Sequence, residues 1–130
     1  MNHPQLGSFT CVVRTAAGEI LTSDAHGIRP PLLWLREDPE LLRGAEISDK
    51  VIGKAAALLF CHGGVRSIYA EMMSQAAAEF LDKQGIAYQY GKLAPAILNR
   101  AGTGLCPMEQ KALALDDPAQ AFAVFDRLVD

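Results

Sequence analysis

Residues 46–91 alternate between helix and strand patterns, and this alternation constrains the fold more than any other feature of the chain. The segment "EISDKVIGKAAALLFCHGG" predicts a helix that Ser48 or Asp49 caps and that two glycines end. Next, "VRSIYAEM" predicts a buried strand, "SQAAAEFLDKQG" a helix from Ser74 to Gly85, and "IAYQYG" a second strand. Elements in this order predict parallel strands joined by right-handed crossovers, which is typical of an α/β fold.

The flanking segments extend the predicted sheet and its helices. "SFTCVVR" alternates as a strand, and the turn "TAAGE" leads to a partner strand at 20–22, so the chain opens with a hairpin. "HGIRPPLLWLRED" predicts a short helix that Pro39 ends. Further helices are expected at 92–98, from Pro107, and after the cap Asp117. The chain is therefore predicted to be one α/β domain spanning all 130 residues, a three-layer sandwich whose mixed β-sheet has helices on both faces.

Composition and charge exclude several classes of function. Half of the residues are hydrophobic and 21% are charged, which argues against disorder. The net charge is -3 and the 12 basic residues are scattered, so a basic face for nucleic acid is not expected. No apolar run approaches the ~20 residues of a membrane span, and the N-terminus lacks a signal-peptide pattern, which together predict a cytoplasmic protein. The 3 cysteines are far apart and lack zinc-ligand spacing, so neither a disulfide framework nor a metal or other cofactor is predicted.

The loop "NRAGTG" has the composition of an anion-binding turn. Gly102 and Gly104, on either side of Thr103, have access to backbone angles that direct successive amides to one point. Asn99 and Arg100 precede them and suit a carboxylate or phosphate, although an exposed turn explains the same pair. The loop therefore predicts either a turn or an anion site.

Directly after this loop, "CPMEQ" predicts a helix start that contains a thiol. Pro107 suits the first helical position, so Cys106 becomes the N-cap and Glu109 completes a capping box. Cysteine is a poor cap, and a helix N-terminus favours the thiolate form. Three interpretations follow: an inert cap, part of an anion site, or a reactive nucleophile for which His26 or His62 supplies the base through the fold.

The second candidate site is "DKVIGK". Asp49, Lys50 and Lys54 lie within the predicted helix, and Gly53 inside a helix indicates close approach of backbone or ligand. The two lysines either form a solvated edge or place Lys54 in a pocket where it pairs with an anion. The spacing does not match a P-loop.

The motifs "TCVV", "GIRPPLLWL", "SDKVIGKAAALL" and "NRAGTGLCPMEQ" occur in the same order as in an uncharacterised prokaryotic family, catalogued as domain of unknown function 1893. The chain resembles this family over residues 8–127, and the resemblance implies a cytidine-deaminase-like fold. It implies no established activity. Zinc deaminases carry H-x-E at the first core helix and P-C-x-x-C at the next, whereas this chain has "DKVIGKAAA" and "AEMMSQA" there. Deaminase activity with zinc is therefore not expected.

Together, these observations predict a pocket between the helix that starts at Asp49 and the loop from Gly102 to Cys106. The expected ligand is a small anionic or nucleotide-like molecule, held by the ligand-binding candidates Asp49, Lys50, Lys54, Asn99, Arg100, Gly102, Thr103 and Gly104. Cys106 is the catalytic candidate. Two alternatives remain: a metal-independent enzyme with Cys106 as nucleophile, and a catalytically silent regulatory subunit that forms a homodimer through apolar helix surfaces.

Overall fold

The computed structural model describes residues 3–98 and 101–129, which form five strands and five helices. The strands are β1 (Cys11–Arg14), β2 (Ile20–Ser23), β3 (Glu46–Ile52), β4 (Ser67–Ser74) and β5 (Ala87–Ala94). The helices are α1 (Arg29–Glu37), α2 (Lys54–His62), α3 (Gln75–Gln84), α4 (Pro107–Ala112) and α5 (Pro118–Leu128). Within the described ranges, no helix has the length and apolar character needed to cross a membrane.

The five strands form one mixed sheet in the order β2-β1-β3-β4-β5. β1 is antiparallel to both β2 and β3, whereas β3, β4 and β5 are mutually parallel neighbours. The predicted N-terminal hairpin and the parallel pair joined by α3 are therefore confirmed. The α/β class and the mixed sheet are confirmed as well.

The predicted helix over "EISDKVIGKAAALLFCHGG" is wrong in its first half. Residues Glu46–Ile52 form β3, and the helix begins only at Lys54, with Gly53 as its N-cap. Neither Ser48 nor Asp49 caps it. β3 has a strand on each side and is largely buried, so polar and apolar residues do not alternate regularly along it. Its apolar residues are followed closely by the alanines of α2, and the two elements therefore resemble one apolar stretch in the sequence.

All five helices of the described chain lie on one face of the sheet. α2 is buried from Lys54 to Phe60, and α1, α3, α4 and α5 each contact it. A helix on the far face would be separated from α2 by the sheet. The expected three-layer sandwich with helices on both faces is therefore corrected to one helical layer, in which the other helices surround α2.

The N-terminal segment crosses the opposite face of the sheet. The hydroxyl of Ser48, on β3, donates to the carbonyl of Pro4 at 2.6 Å, and the ring of His3 stacks on Tyr69 of β4 with centroids 4.0 Å apart. Leu6, within this segment, and Val12, on β1, are both buried. Residues 3–6 thus cover part of the face that the helices leave free.

Local signals explain the remaining helices. Ser74 accepts a hydrogen bond from the amide of Ala77, and Gly85 ends α3 in the left-handed conformation, both as predicted. Asp117 caps α5, also as predicted. The short helix expected at 92–98 is wrong, because β5 continues to Ala94 and Pro95 then stops regular structure.

Candidate functional site

A cleft of about 320 Å³ opens at the carboxyl end of β3. Its walls come from Thr10, the loop 25–28, residues 49–51 of β3, the first turn of α2, Ile97, and the start of α4 from Cys106 to Glu109. Most of these side chains are apolar. Clefts with an apolar lining and a few polar groups are the usual form of small-molecule sites, and ligands in α/β sheets bind at the carboxyl ends of strands.

Asp49 is the most deeply buried carboxyl group of this cleft, with only 6% of the residue exposed. It lies on the helical face of β3, opposite Cys11 of β1. Its Oδ1 accepts a hydrogen bond from the amide of Val51 at 3.1 Å, and the thiol of Cys11 donates to the same carboxyl group. Burial raises the pKa of Asp49 to about 7, although these hydrogen bonds oppose the shift.

The same environment makes the Cys11 thiol inert. Burial, and then the neighbouring charge of Asp49, raise the pKa of Cys11 far above the ordinary range of a thiol. Cys61 is similar, since burial raises its pKa to about 12. Both shifts disfavour the thiolate, so neither of these two cysteines is expected to act as a nucleophile at neutral pH.

Glu109 connects α4 to the first turn of α2. Its carboxylate accepts hydrogen bonds from the backbone amides of Lys54 at 2.7 Å and Ala55 at 3.0 Å. The predicted capping box within α4 is therefore wrong, because Glu109 caps α2 instead. Burial raises the pKa of Glu109, and the amides of Ala55 and Lys54 act in the opposite direction.

Gly53 makes this cap geometrically feasible. A Cβ atom at Gly53 would lie 2.1 Å from Oε1 of Glu109, far inside van der Waals contact. The φ of Gly53 is -102°, so the glycine is needed for space and not for backbone freedom. The sequence indicated close approach of backbone or a ligand at Gly53, whereas the group that approaches is the side-chain carboxylate of Glu109.

Lys54 faces away from the cleft. Its ammonium group lies 3.0 Å from Oδ1 of Asp116 and 3.5 Å from the carbonyl of Leu113, in the connection between α4 and α5. This ion pair lowers the pKa of Asp116. Lys54 borders a separate depression of about 210 Å³ together with Glu79 and Lys83. The structure therefore does not bring Lys54 to the other predicted site residues.

Only one end of the predicted ligand loop from Gly102 to Cys106 lies at the cleft. Cys106 lines the cleft, is half-buried, and holds its position through its amide, which donates to the carbonyl of Ile97 at 3.0 Å. Gly102 has a φ of +72°, as a tight turn requires, but none of residues 102–104, which include Thr103 and Gly104, lines the cleft. Asn99 and Arg100 lie outside the described residues.

The structure brings together Asp49, Lys50 and Cys106, and it adds groups that sequence reasoning did not combine. Glu109 is the main addition, since its partners on α2 are 54 and 55 positions away and no local pattern connects them. His26, a weak candidate from the sequence, borders the cleft and is exposed. Among the described residues, no three His, Cys, Asp or Glu side chains are grouped so as to hold a metal ion.

The fold and cleft define an α/β protein with a small-molecule-sized site at the carboxyl end of its central strand. Residues 2–128 match the family described as Domain of unknown function (DUF1893), and the chain belongs to this family. Its fold is similar to the crystal structure of a DUF1893 family protein from Thermotoga maritima, with a TM-score of 0.81 and 24% sequence identity. That similarity covers 93% of this chain and 81% of the other. No curated protein matches the chain.

Proposed function

We propose that this protein binds a small molecule in the cleft between β3, the first turn of α2, the loop 25–28 and α4. The observation that carries the proposal is the presence of two carboxyl groups, Asp49 and Glu109, in the walls of an otherwise largely apolar cleft. Both residues are more than nine-tenths buried. Polar groups that are costly to bury and converge on an apolar cavity are characteristic of ligand sites.

The ligand contacts differ from those that the sequence suggested. The amides of the first turn of α2 are the natural anion site of this cleft, and Glu109 already occupies them. Lys54 contacts Asp116 on another surface. An anionic ligand would therefore meet two buried carboxyl groups, whereas Lys50, the lysine that borders the cleft among the described residues, is exposed. The proposed ligand is accordingly compact and not anionic.

A variant in which a bulky side chain fills the cleft tests this proposal. Val51 lines the cleft and is partly exposed, so Val51→Trp places an indole in the cavity without disturbing the core. Leu33→Trp on the exposed side of α1 is the matched control. In a fragment screen by protein-observed NMR, we expect fragments to shift cleft residues in the wild type and Leu33→Trp, and not in Val51→Trp. Fragments that bind all three proteins equally would contradict the proposal.

A second candidate function uses Cys106 as a nucleophile, because Cys106 lines the same cleft as Asp49 and His26. Iodoacetamide labelling across pH tests it. A nucleophilic Cys106 labels fastest, labels well below pH 8, and is slowed by His26→Gln. Labelling of Cys106 that follows the pH profile of free cysteine, unchanged in His26→Gln, would contradict this role.

The finer fold assignment is also a proposal: a cytidine-deaminase-like sheet without its zinc centre. It is supported by the parallel β3–α2–β4–α3–β5 unit and by the position of the cleft at the start of α2. There the chain presents Gly53, Lys54 and Ala55, none of which is a zinc ligand. Stoichiometric zinc in the purified protein would contradict it.

The cytoplasmic location and the homodimer remain predictions, which cell fractionation and sedimentation test.

A further inference from the structure

We propose that the ligand of the cleft presents a cationic head group with two N–H donors, an amidinium or guanidinium, that docks on the carboxylate of Asp49. This inference rests on the proposed function, because it specifies the ligand of the same cleft. It is carried by the surroundings of Asp49, which supply hydrogen bonds but no positive charge within the described residues.

The partners of Asp49 are all neutral donors. They are the amides of Val51 and Lys50 and the thiol of Cys11. A carboxylate has about four lone-pair sites, and its strongest protein partner is a planar fork of two N–H groups with a positive charge. The described structure contains no ion pair to Asp49. Among residues 3–98 and 101–129, an ionised Asp49 in this wall therefore lacks the charged partner that a buried carboxylate normally has.

The charged and titratable groups around the cleft do not supply that partner. They come from β1, the loop before α1, β3 and α4, and are Cys11, His26, Lys50, Cys106 and Glu109. Lys50 borders the cleft, but it is exposed and its contact with Asp49 is made by its backbone amide. His26 is exposed at the rim, and Glu109 adds negative charge. The interior of the cleft therefore favours a cation over an anion.

Docking of a cation requires Asp49 to be ionised, which makes binding dependent on pH. Burial raises the pKa of Asp49 to about 7, so we expect the group to be mostly protonated at pH 6 and mostly ionised at pH 8. The affinity for an amidinium is expected to rise roughly tenfold between these two values. Below pH 7 the head group displaces a proton, which passes to the buffer.

Three probes of equal shape separate the effect of charge from the effect of shape. Benzamidine is a cationic donor, benzamide is neutral and benzoate is anionic, and all three have the same apolar ring. In NMR titrations at pH 8, we expect benzamidine to shift cleft resonances with an affinity at least tenfold above those of benzamide and benzoate. Calorimetry in two buffers of different ionisation enthalpy is expected to show proton release at pH 6 and none at pH 8.

The variants assign the preference to one carboxyl group. Asp49→Asn is expected to weaken benzamidine at least tenfold and to leave benzamide within about twofold. Glu37→Gln, at an exposed carboxyl group on α1, is the matched control and is expected to change neither. His26→Gln, which removes the other titratable group at the rim, is expected to keep the pH profile.

The possible failures are distinguishable. Equal binding of benzoate and benzamidine in the cleft, or a benzamidine affinity unchanged in Asp49→Asn, overturns the cationic head group but keeps the cleft as a binding site. If fragments and all three probes leave the cleft resonances unshifted, the proposed function itself fails. The probe series on the wild type stands even if Asp49→Asn does not fold.

Discussion

The two junctions β3–α2 and β4–α3 have the same architecture and different chemistry. Asp49 and Ala70 are register partners on the adjacent strands, and four residues after each of them lies an N-cap, Gly53 or Ser74. At the β4–α3 junction the helix cap is local, because the Ser74 side chain caps the helix that follows it. The first has a buried acid, a cap without a side chain, and a carboxylate supplied from α4.

This difference indicates where the chain departs from the local rules of stability. At β4–α3, the N-cap is Ser74, which is a residue type that helix capping favours. At β3–α2, the buried carboxyl group and the glycine both cost stability, and the cleft of about 320 Å³ lies at this junction, whereas the depression beside Ser74 measures about 180 Å³. The comparison is therefore consistent with a structural role for one junction and with the proposed binding role for its neighbour.

The largest effect is expected from Asp49→Asn. Because the folded pKa is raised, the folded state keeps a proton that the unfolded state releases, so wild-type stability falls as pH rises from about 4 to about 7 and then levels off. Ionisation of Asp49 costs about 4 kcal/mol at full effect. We expect Asp49→Asn to remove this fall and to be the more stable protein at pH 8. Urea unfolding at pH 4, 6 and 8 measures it, and Glu37→Gln is expected to keep the wild-type slope.

Gly53→Ala should have the next largest effect. The added methyl group takes the place of the Glu109 carboxylate, leaving two buried amides and a buried acid without partners, and we expect a loss of about 3 kcal/mol. Gly104→Ala, where no atom lies within 4 Å of the added Cβ, is the matched control with about 0.5 kcal/mol or less. Chemical denaturation of both variants measures these losses in the free energy of unfolding.

A double-mutant cycle sharpens that result. Glu109→Ala alone should cost about 2 kcal/mol, and the pair Gly53→Ala with Glu109→Ala should cost less than the sum of the two. Additive losses would show that Gly53 and Glu109 do not act through one contact.

The smallest effect is expected at the second junction. Ser74→Ala removes a local cap and should cost about 1 kcal/mol. Cleft resonances in NMR spectra should stay unchanged, whereas in Gly53→Ala they should move. Shifts of equal size in the two variants would contradict the division of roles between the junctions.

Residues whose partners are close in sequence were predictable. Ser74 bonds to an amide three positions away, and Asp117 with Pro118 forms a cap of the same kind, so both helix starts were correct. β3 was missed because a buried central strand has no polar alternation, and its apolar residues merged with those of α2. Glu109 was placed on the correct helix but given the wrong partner. Its real partners depend on how α4 packs, which no local pattern encodes.

The candidate site followed the same rule. Asp49, Lys50 and Cys106 were brought together by the fold, whereas Lys54, on the next element, points elsewhere. One mistake about an element explains this outcome. If residues 49–54 were one helix, Lys50 and Lys54 would share a face, but Gly53 separates a strand from a helix and sends the two lysines in different directions.

The segment at residues 3–6 has a practical consequence for handling the protein. Ser48 is fully buried and its hydroxyl is bonded to Pro4, while the next residue, Asp49, faces the cleft. Residues 3–6 thus cover the face of β3 that is opposite the cleft. Deletion of residues 3–6 would uncover this face of β3 and leave the Ser48 hydroxyl without its hydrogen-bond partner. We expect this to lower the free energy of unfolding by about 1–3 kcal/mol.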